Sequence, residues 1–265
     1  MQRFKKAIYF LIFFYVMIGA SLYFLQEKLI FLPTTLPQDY AYNFSYPFDE
    51  LFLTAEDGAK INAIHFKTEK PKGVIIYFHG NAGNLSRWGI ITEFFVEKHY
   101  DVLVMDYRTY GKSSGTLSEQ ALYNDAQMCY DYLLKHYQES EITIYGRSIG
   151  TGMATHLASG NQPNRLILET PFYSLADVAK HRFPVFPVKK LLKYNFPSYQ
   201  HVQDVKCPII IFHGSNDEVI PYTSGEKLFN SMNQEKKIFF TIKNGGHNNL
   251  IEFASYRKQI QKILF

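Results

Sequence analysis

EITIYGRSIGTGMA, residues 141–154, is the most informative stretch for the fold of this chain. Its first five residues are a β-branched, apolar run that predicts a buried strand, and the small residues from Gly150 onward are typical of a closely packed helix start. Between them, GRSIG at residues 146–150 has the G-x-S-x-G pattern. A sharp strand-to-helix turn at this pattern strains the serine backbone and exposes its hydroxyl above a sheet. The stretch therefore predicts an accessible, nucleophilic Ser148.

Strand-like runs and helical patterns alternate on both sides of this stretch. Five more apolar runs predict strands buried on both faces, at Gly73–Phe78, Asp101–Met105, Arg165–Leu168, Pro208–Phe212 and Lys237–Ile242. Helical patterns lie between them, around Leu85–His99, Leu117–Tyr137, Ile149–Ser159, Ser224–Met232 and Asn249–Ile263. An Asp57-Gly58 turn predicts a hairpin before the first run. This alternation predicts an α/β fold with a mostly parallel sheet flanked by helices, which binds ligands at the carboxyl ends of its strands.

Two other strand ends provide the partners that a serine nucleophile needs. A serine hydroxyl requires a base, and the base requires a carboxylate that holds its tautomer. His247, in the glycine-flanked loop after the last strand, is the candidate base, and Asp217, in HGSNDE at residues 213–218, is the candidate acid. Glu218 and Glu169 remain alternative acids, because the first is adjacent to Asp217 and the second ends a neighbouring strand.

An acyl-transfer intermediate also needs two N–H donors for its oxyanion. One is expected from Ile149, the residue after the serine, at the start of its helix. The other is expected from HGNAGN at residues 79–84, where glycines allow close backbone approach. Asn81 is the candidate donor there, with Ala82 as the alternative. His79 and His213 are interpreted as residues that brace their loops.

These motifs together resemble a known family. HGNAGN at His79, DYRTYGKSSG at Asp106, GRSIG at Gly146, ETPFYSL at Glu169, HGSNDEVIP at His213 and NGGHNNL at Asn244 carry the resemblance. They are similar to the membrane-anchored α/β-hydrolase domain-containing proteins, relatives of serine-peptidase-like hydrolases and protein depalmitoylases. The resemblance covers Phe31 to the C-terminus and implies an α/β-hydrolase fold with Ser148, Asp217 and His247 as the triad. The lipidated cysteine cluster of soluble depalmitoylases is absent from this sequence.

The N-terminal segment predicts a membrane anchor. Ala7 to Leu25 is an uncharged, apolar run of about 19 residues, nearly long enough to cross a hydrocarbon core of about 30 Å. Arg3, Lys5 and Lys6 precede it, so the positive-inside rule predicts a cytoplasmic N-terminus and an extracytoplasmic catalytic domain. A cleaved signal peptide is the alternative, although apolar residues 22–25 continue past the small residues 19–21. The expected organisation is a signal-anchor over residues 1–28 and a catalytic domain over residues 29–265.

An insertion over residues 171–201 predicts a small cap above the site. Phe172, Phe183 and Phe186 are expected to line a pocket for the substrate's acyl group. A basic cluster follows, consisting of Lys189, Lys190 and Lys193. It is expected to contact the anionic headgroups of a membrane. The alternative is a cap that only packs on the body of the domain.

Composition excludes several other classes of protein. The chain has 265 residues, 46% of them hydrophobic, with 28 basic against 24 acidic residues, so neither disorder nor a nucleic-acid groove is expected. Two cysteines cannot build a disulfide framework or a four-ligand zinc site. No metal and no cofactor is expected, because no His, Cys and carboxylate set is clustered in the sequence.

The combined expectation is a serine hydrolase that cleaves carboxylic esters or thioesters through an acyl-enzyme. Its substrate would be a small molecule or an acylated, lipophilic compound, and its other partner would be the bilayer. Three alternatives remain: a peptidase, an acyltransferase of the same fold, and a membrane-tethered scaffold without turnover.

Overall fold

Helices and strands alternate along most of the chain. The structure is a computed structural model and describes residues 2–264. The helices of this part are α1 (Gln2–Phe24), α2 (Gln26–Ile30), α3 (Leu85–Val96), α4 (Glu119–Leu134), α5 (Gly150–Gly160), α6 (Leu175–Arg182), α7 (Val188–Leu191), α8 (Ser198–His201), α9 (Tyr222–Ser231) and α10 (Ala254–Leu264). The strands are β1 (Leu32–Pro33), β2 (Phe48–Thr54), β3 (Lys60–Phe66), β4 (Val74–Phe78), β5 (Ala82–Gly83), β6 (Asp101–Met105), β7 (Ile142–Arg147), β8 (Arg165–Glu169), β9 (Ile209–Gly214) and β10 (Lys237–Ile242).

Eight strands form one sheet in the order β10-β9-β8-β7-β4-β6-β3-β2. The six strands from β10 to β6 are parallel, whereas β3 pairs antiparallel with both β6 and β2. The hairpin predicted around Asp57-Gly58 is the β2–β3 pair. Apolar side chains on both faces of β4, β6 and β7 are buried, so helices cover both sides of the sheet. The predicted α/β architecture is confirmed.

Polar caps set where several helices begin. Asn84, Ser118 and Ser174 precede α3, α4 and α6, and each side chain accepts a backbone N–H of the first helical turn. Such caps satisfy N–H groups that have no partner inside the helix. The chain segments that lead into these three helices follow β4, β6 and β8, so they leave the carboxyl edge of the parallel strands.

Two details of the sequence prediction are wrong. Lys237–Ile242 was expected to be buried on both faces, but β10 is the edge strand and its side chains are largely exposed or half-buried. The last helix was expected from Asn249, but α10 begins at Ala254, because a short 3₁₀ turn over Leu250–Glu252 comes first. An apolar run alone does not show whether a strand has one neighbour or two.

The N-terminal helix is apolar on every side and lies outside the core. α1 has no buried residue and is long and apolar enough to cross a membrane. Immediately after it, β1 pairs in parallel with β5, so that Leu32 is opposite Ala82 and Pro33 is opposite Gly83. The chain leaving the apolar helix is therefore fastened to the loop that follows β4.

Residues 171–201 cover the carboxyl edge of the sheet next to this helix. They contain three short helices, α6, α7 and α8. Gln26 of α2 is buried against them: its Nε2 donates to the Leu191 carbonyl at 3.0 Å, and its Oε1 accepts the Lys193 N–H at 2.7 Å. The residues that join α1 to the domain thus contact the cap directly.

Candidate active site

Ser148 occupies a strained turn between β7 and α5. Its φ is +54°, in the left-handed region that L residues rarely adopt. A Cβ at Gly150 would lie 2.7 Å from the His79 carbonyl oxygen, and one at Gly146 would lie 2.6 Å from the Ala154 side chain. Only glycine therefore allows α5 to start so close to β4 and β7. The turn holds the serine hydroxyl at the carboxyl edge of the sheet.

His247 reaches Ser148 from the loop after β10. Its Nε2 lies 2.9 Å from Ser148 Oγ, and its Nδ1 lies 2.8 Å from Asp217 Oδ2. The three groups come from the ends of β7, β9 and β10, which are 30 to 99 positions apart along the chain. The structure thus brings together Ser148, Asp217 and His247, in the arrangement that lets an imidazole take a proton from a serine.

Asp217 is held in place by its own loop and is kept ionised by two neighbouring histidine rings. Its Oδ1 accepts the N–H groups of Val219 and Ile220, both at 2.9 Å. Burial alone would raise the pKa of Asp217, but the neighbouring rings of His213 and His247 more than offset this and hold its pKa well below the usual range. The His213 Nε2 lies 3.4 Å from Asp217 Oδ2 and 3.1 Å from the Ile220 carbonyl oxygen, so His213 braces this loop, as the sequence predicts.

The two alternative acids have other surroundings. Glu169 is buried next to Arg147, with 3.2 Å between Oε1 and Nε, and its Oε2 accepts hydrogen bonds from the hydroxyls of Tyr145 and Tyr256. Glu218 points into solvent. Among the described residues, the carboxylate that hydrogen-bonds His247 is that of Asp217.

The two expected oxyanion donors flank the serine. Ile149 follows Ser148 at the start of α5, and both it and Asn81 line the same cavity as Ser148. The Asn81 carbonyl accepts the Leu32 N–H at 2.8 Å and the Tyr110 hydroxyl at 2.7 Å. The carbonyl that these bonds hold shares its peptide plane with the Ala82 N–H, whereas the Asn81 N–H lies in the preceding peptide, whose Gly80 carbonyl oxygen is 2.6 Å from His79 Nδ1. Ala82, the alternative donor, is part of β5 and pairs with Leu32.

The cavity over Ser148 is apolar and has a volume of about 220 Å³. Phe172 and Phe183 line it, as expected. Phe186 does not: its ring stacks on Tyr15 of α1, with 4.7 Å between ring centres. The stacking partner of Phe186 is thus 171 positions away in the chain, so the local sequence does not reveal this contact.

Part of the cavity wall comes from the N-terminal segment. The sequence analysis did not predict that this segment contributes to the site. Leu22, Gln26, Leu29 and Ile30 line the cavity opposite the cap. The sequence contains a signal for this: Gln26 is the first polar residue after the apolar run, and it is buried here. Buried polar side chains need partners, so Gln26 marks a contact between the helix junction and another element.

A parallel sheet with a strained serine turn after a central strand, and with acid and histidine loops after the last two strands, defines the α/β-hydrolase class. Comparison with known proteins places the chain within it. The family model described as "Serine aminopeptidase, S33" matches residues 69–201. This chain belongs to that α/β-hydrolase family, and the family resemblance of its motifs is confirmed.

Relatives and solved structures agree with this assignment. Protein R595 of Acanthamoeba polyphaga mimivirus is 35% identical over 75% of both chains. Protein bem46 of Schizosaccharomyces pombe is 30% identical over 86% of this chain and 81% of its own, and lysophosphatidylserine lipase ABHD12 of Danio rerio is 28% identical over 87% and 71%. The Pyrococcus furiosus esterase Pf2001 has the same fold, with a TM-score of 0.70 at 16% identity over 89% of this chain and 96% of its own.

Proposed function

We propose that this hydrolase is a membrane-anchored serine esterase or thioesterase, in which Ser148, His247 and Asp217 cleave an acyl bond through an acyl-enzyme. The observation that carries the proposal is the continuous hydrogen-bond chain from Asp217 through His247 to Ser148, at 2.8 and 2.9 Å, with Ser148 lining an apolar cavity. Groups at these distances are already placed for proton transfer.

The reaction would run in two halves. Ser148 Oγ attacks the acyl carbonyl while His247 Nε2 takes the hydroxyl proton, and Asp217 stabilises the imidazolium. The N–H groups of Ile149 and Asn81 hold the oxyanion, and His247 then returns the proton to the leaving alcohol or thiol. In the second half, water attacks the acyl-enzyme while His247 takes its proton. His247 then returns the proton to Ser148 Oγ as the carboxylic acid is released.

The cavity walls favour a substrate with an aliphatic acyl group. Most of the lining side chains are aliphatic or aromatic, and the described residues of the wall include no carboxylate. A protease that holds a substrate's amino terminus needs an anionic partner for it, so this wall favours ester or thioester cleavage over aminopeptidase activity. The name of the zebrafish relative, a lysophosphatidylserine lipase, also supports a lipid ester as substrate.

The proposal includes attachment to a bilayer through α1. The basic residues Arg3, Lys5 and Lys6 precede the apolar part of this helix, and polar Gln26, Glu27 and Lys28 follow it. This charge distribution favours a cytoplasmic N-terminus and an extracytoplasmic hydrolase domain.

Labelling with a fluorophosphonate probe tests the assignment of the nucleophile. We expect the full-length protein in detergent to react, because a serine activated by its histidine attacks the phosphorus, and Ser148→Ala to remain unlabelled. Turnover of a short p-nitrophenyl ester should fall at least about a thousandfold in that variant. Ser159→Ala, on α5 but away from the cavity, is the matched control and should label like the wild type.

Either of two results would reject the proposal. One is labelling of Ser148→Ala at the wild-type level, which would place the reactive group elsewhere. The other is a folded wild type that neither labels nor turns over any ester from acetate to palmitate, which would favour a scaffold without catalysis.

A further inference from the structure

The cap contacts the N-terminal helix well inside its apolar length. We call residues 183–188, FPVFPV, the cap tip. The Tyr15 hydroxyl donates to the Val185 carbonyl at 3.1 Å, and the Tyr15 ring stacks on Phe186 with an interplanar angle of 6°. Phe186 also packs on Gly19, where a Cβ would lie 3.8 Å from its ring. The cap tip is therefore docked on the side of α1.

This contact sets the depth of the cap tip. Tyr15 lies nine residues before Phe24, the last residue of α1. At 1.5 Å per residue this is about 13 Å along the helix axis, comparable with one half of a hydrocarbon core of about 30 Å. When α1 spans the bilayer, the cap tip must lie within the leaflet from which α1 emerges.

We propose that the cap tip inserts into this outer leaflet, so that the cavity over Ser148 opens toward lipid and receives the acyl chain of its substrate laterally from the bilayer. This inference rests on the proposed anchoring and esterase function. It adds a second membrane contact, made by the cap itself, and a route by which substrate enters.

The composition of the cap tip suits a lipid environment. Its six residues carry no charge, and the Val185 side chain is 70% exposed. Cationic residues flank it on both sides and are placed to meet headgroups, namely Arg182, Lys189 and Lys190. An exposed apolar loop between cations is unfavourable in water and favourable at a membrane interface.

The backbone of the cap tip also has few unsatisfied polar groups. Pro184 and Pro187 have no N–H to bury. The carbonyls of the first three residues accept hydrogen bonds: Phe183 from the Phe186 N–H at 3.2 Å, Pro184 from Lys180 Nζ, and Val185 from Tyr15. Satisfying such groups internally is what permits a non-helical segment to enter lipid.

The cavity lies between the two elements that would contact lipid. Leu22 and Leu29 of the N-terminal segment and Arg182 and Phe183 of the cap line the cavity together with Ser148. Its volume of about 220 Å³ is below the roughly 300–1,000 Å³ of sites that enclose a drug-sized ligand. It therefore has room for the carbonyl end of a long acyl chain, while the rest of the chain remains in the leaflet.

Labelling with an environment-sensitive dye tests the depth of the cap tip. Cys129 and Cys207 are buried, so a dye on an added exposed cysteine reports that position. We would label Val185→Cys with nitrobenzoxadiazole in the full-length protein, reconstituted in phosphatidylcholine and phosphatidylglycerol vesicles. Val16→Cys on α1 is the reference for lipid, and Ile238→Cys on the edge strand β10 is the reference for water, since both side chains are at least half exposed.

We expect Val185→Cys to be quenched by doxyl-labelled lipid and protected from aqueous iodide, as Val16→Cys is, with Ile238→Cys showing the opposite. Iodide quenching of Val185→Cys at the Ile238→Cys level would overturn insertion of the cap tip. If Val16→Cys were also quenched by iodide, α1 would not be in the bilayer. The proposed anchoring and the insertion of the cap tip would then both be rejected. These readouts do not depend on catalysis, so they stand apart from the outcome of the esterase test.

Kinetics test the lateral route. Val185 does not line the cavity, so Val185→Glu should turn over a water-soluble acetate ester at the wild-type rate. On a long-chain ester embedded in vesicles we expect a loss of about tenfold, because a charge at the tip opposes insertion. Val185→Leu should retain both activities. Equal rates of Val185→Glu and wild type on the embedded ester, or equal losses on both esters, would overturn the proposed route.

Discussion

Asp217 and Glu169 are buried carboxylates at the ends of neighbouring strands, yet they have different partners. Asp217 accepts from His247, whereas Glu169 is next to Arg147 and the hydroxyls of Tyr145 and Tyr256. Arg147 in turn donates to the Asn248 carbonyl at 3.0 Å, one residue after His247. Glu169 therefore contributes to the position of the histidine loop, and Asp217 contacts the histidine itself.

This difference predicts that two isosteric substitutions affect different properties, one mainly kcat and the other mainly stability. Asp217→Asn should lower kcat by about a thousandfold or more, because a neutral amide neither stabilises the imidazolium nor holds the required tautomer. Glu169→Gln should lower stability by about 1–3 kcal/mol through its lost ion pair, with kcat reduced less than about tenfold. Ester turnover and thermal unfolding of both variants measure this. A larger loss of kcat in Glu169→Gln would transfer the acid's role to Glu169.

At the scale of the structural elements, the close packing of α5 against β4 requires a glycine at the first position of α5. Gly150 and Gly160 are the first and last residues of α5, and they have opposite surroundings. A Cβ at Gly150 would collide with the backbone carbonyls of Phe78 and His79, whereas one at Gly160 has no atom within 4 Å.

Alanine at these two positions should therefore differ in effect. Gly150→Ala should lower the free energy of unfolding by about 3 kcal/mol or more, because backbone atoms of β4 cannot yield easily. Gly160→Ala should leave it unchanged or raise it by about 0.5 kcal/mol, since alanine has the better helix propensity. Urea unfolding checks both values, and equal stabilities of the two variants would contradict the packing described for α5.

The β1–β5 pair links the N-terminal helix to the oxyanion loop, and Tyr110 completes the link. The Tyr110 hydroxyl accepts the Leu32 N–H at 3.1 Å and donates to the Asn81 carbonyl at 2.7 Å. Tyr110 is fully buried, so this hydroxyl has no water to replace those bonds. It is a positioning residue for the loop that carries the proposed Asn81 donor.

Tyr110→Phe should lower kcat about fivefold with KM nearly unchanged, because a misplaced donor weakens only the charge that develops in the transition state. Tyr130→Phe is the control: that ring is also fully buried, but its hydroxyl binds Glu139 far from the site. Both variants should lose about 1 kcal/mol of stability. Equal kcat values in the two variants would show that Tyr110 is merely structural.

For the whole molecule, the stability has a pH dependence that a buried histidine introduces. His65 lies on β3 with its ring nitrogens 3.1 Å from the hydroxyls of Tyr132 and Tyr137. Burial, aided by the charge of Lys67, lowers the pKa of His65 from 6.5 to about 4. Above its ordinary pKa the ring is neutral in the folded and unfolded chain, and between 6.5 and about 4 only the unfolded chain takes up the proton.

Stability should therefore fall as the pH drops from about 8 to about 5, with His65 contributing about 2 kcal/mol of the loss. Below about pH 4 this contribution should stop growing, since both states are then protonated. His65→Gln keeps a polar side chain for the tyrosines and removes the titration, so its free energy of unfolding should fall less over that range. An equal pH dependence of wild type and His65→Gln would rule out this role for His65.

Local features of the amino-acid sequence were enough to predict the alternation of strands and helices, the serine turn, the three loops of the site and the apolar N-terminal helix. These features depend on local periodicity, on glycines in tight turns and on which residue ends each strand, so neighbouring residues are enough to show them. The acid was left open among three carboxylates, because strand order and side-chain direction are not local properties.

Contacts between side chains that are far apart along the chain became visible only in the folded structure. It placed Asp217 rather than Glu169 against His247, moved Phe186 from the cavity to Tyr15, and made Leu22 and Gln26 part of the cavity wall. The physical reason is the same in each case: such contacts join segments up to about 170 positions apart. They exist only when the sheet has aligned its carboxyl ends and the cap has packed on the helix that leads into the domain.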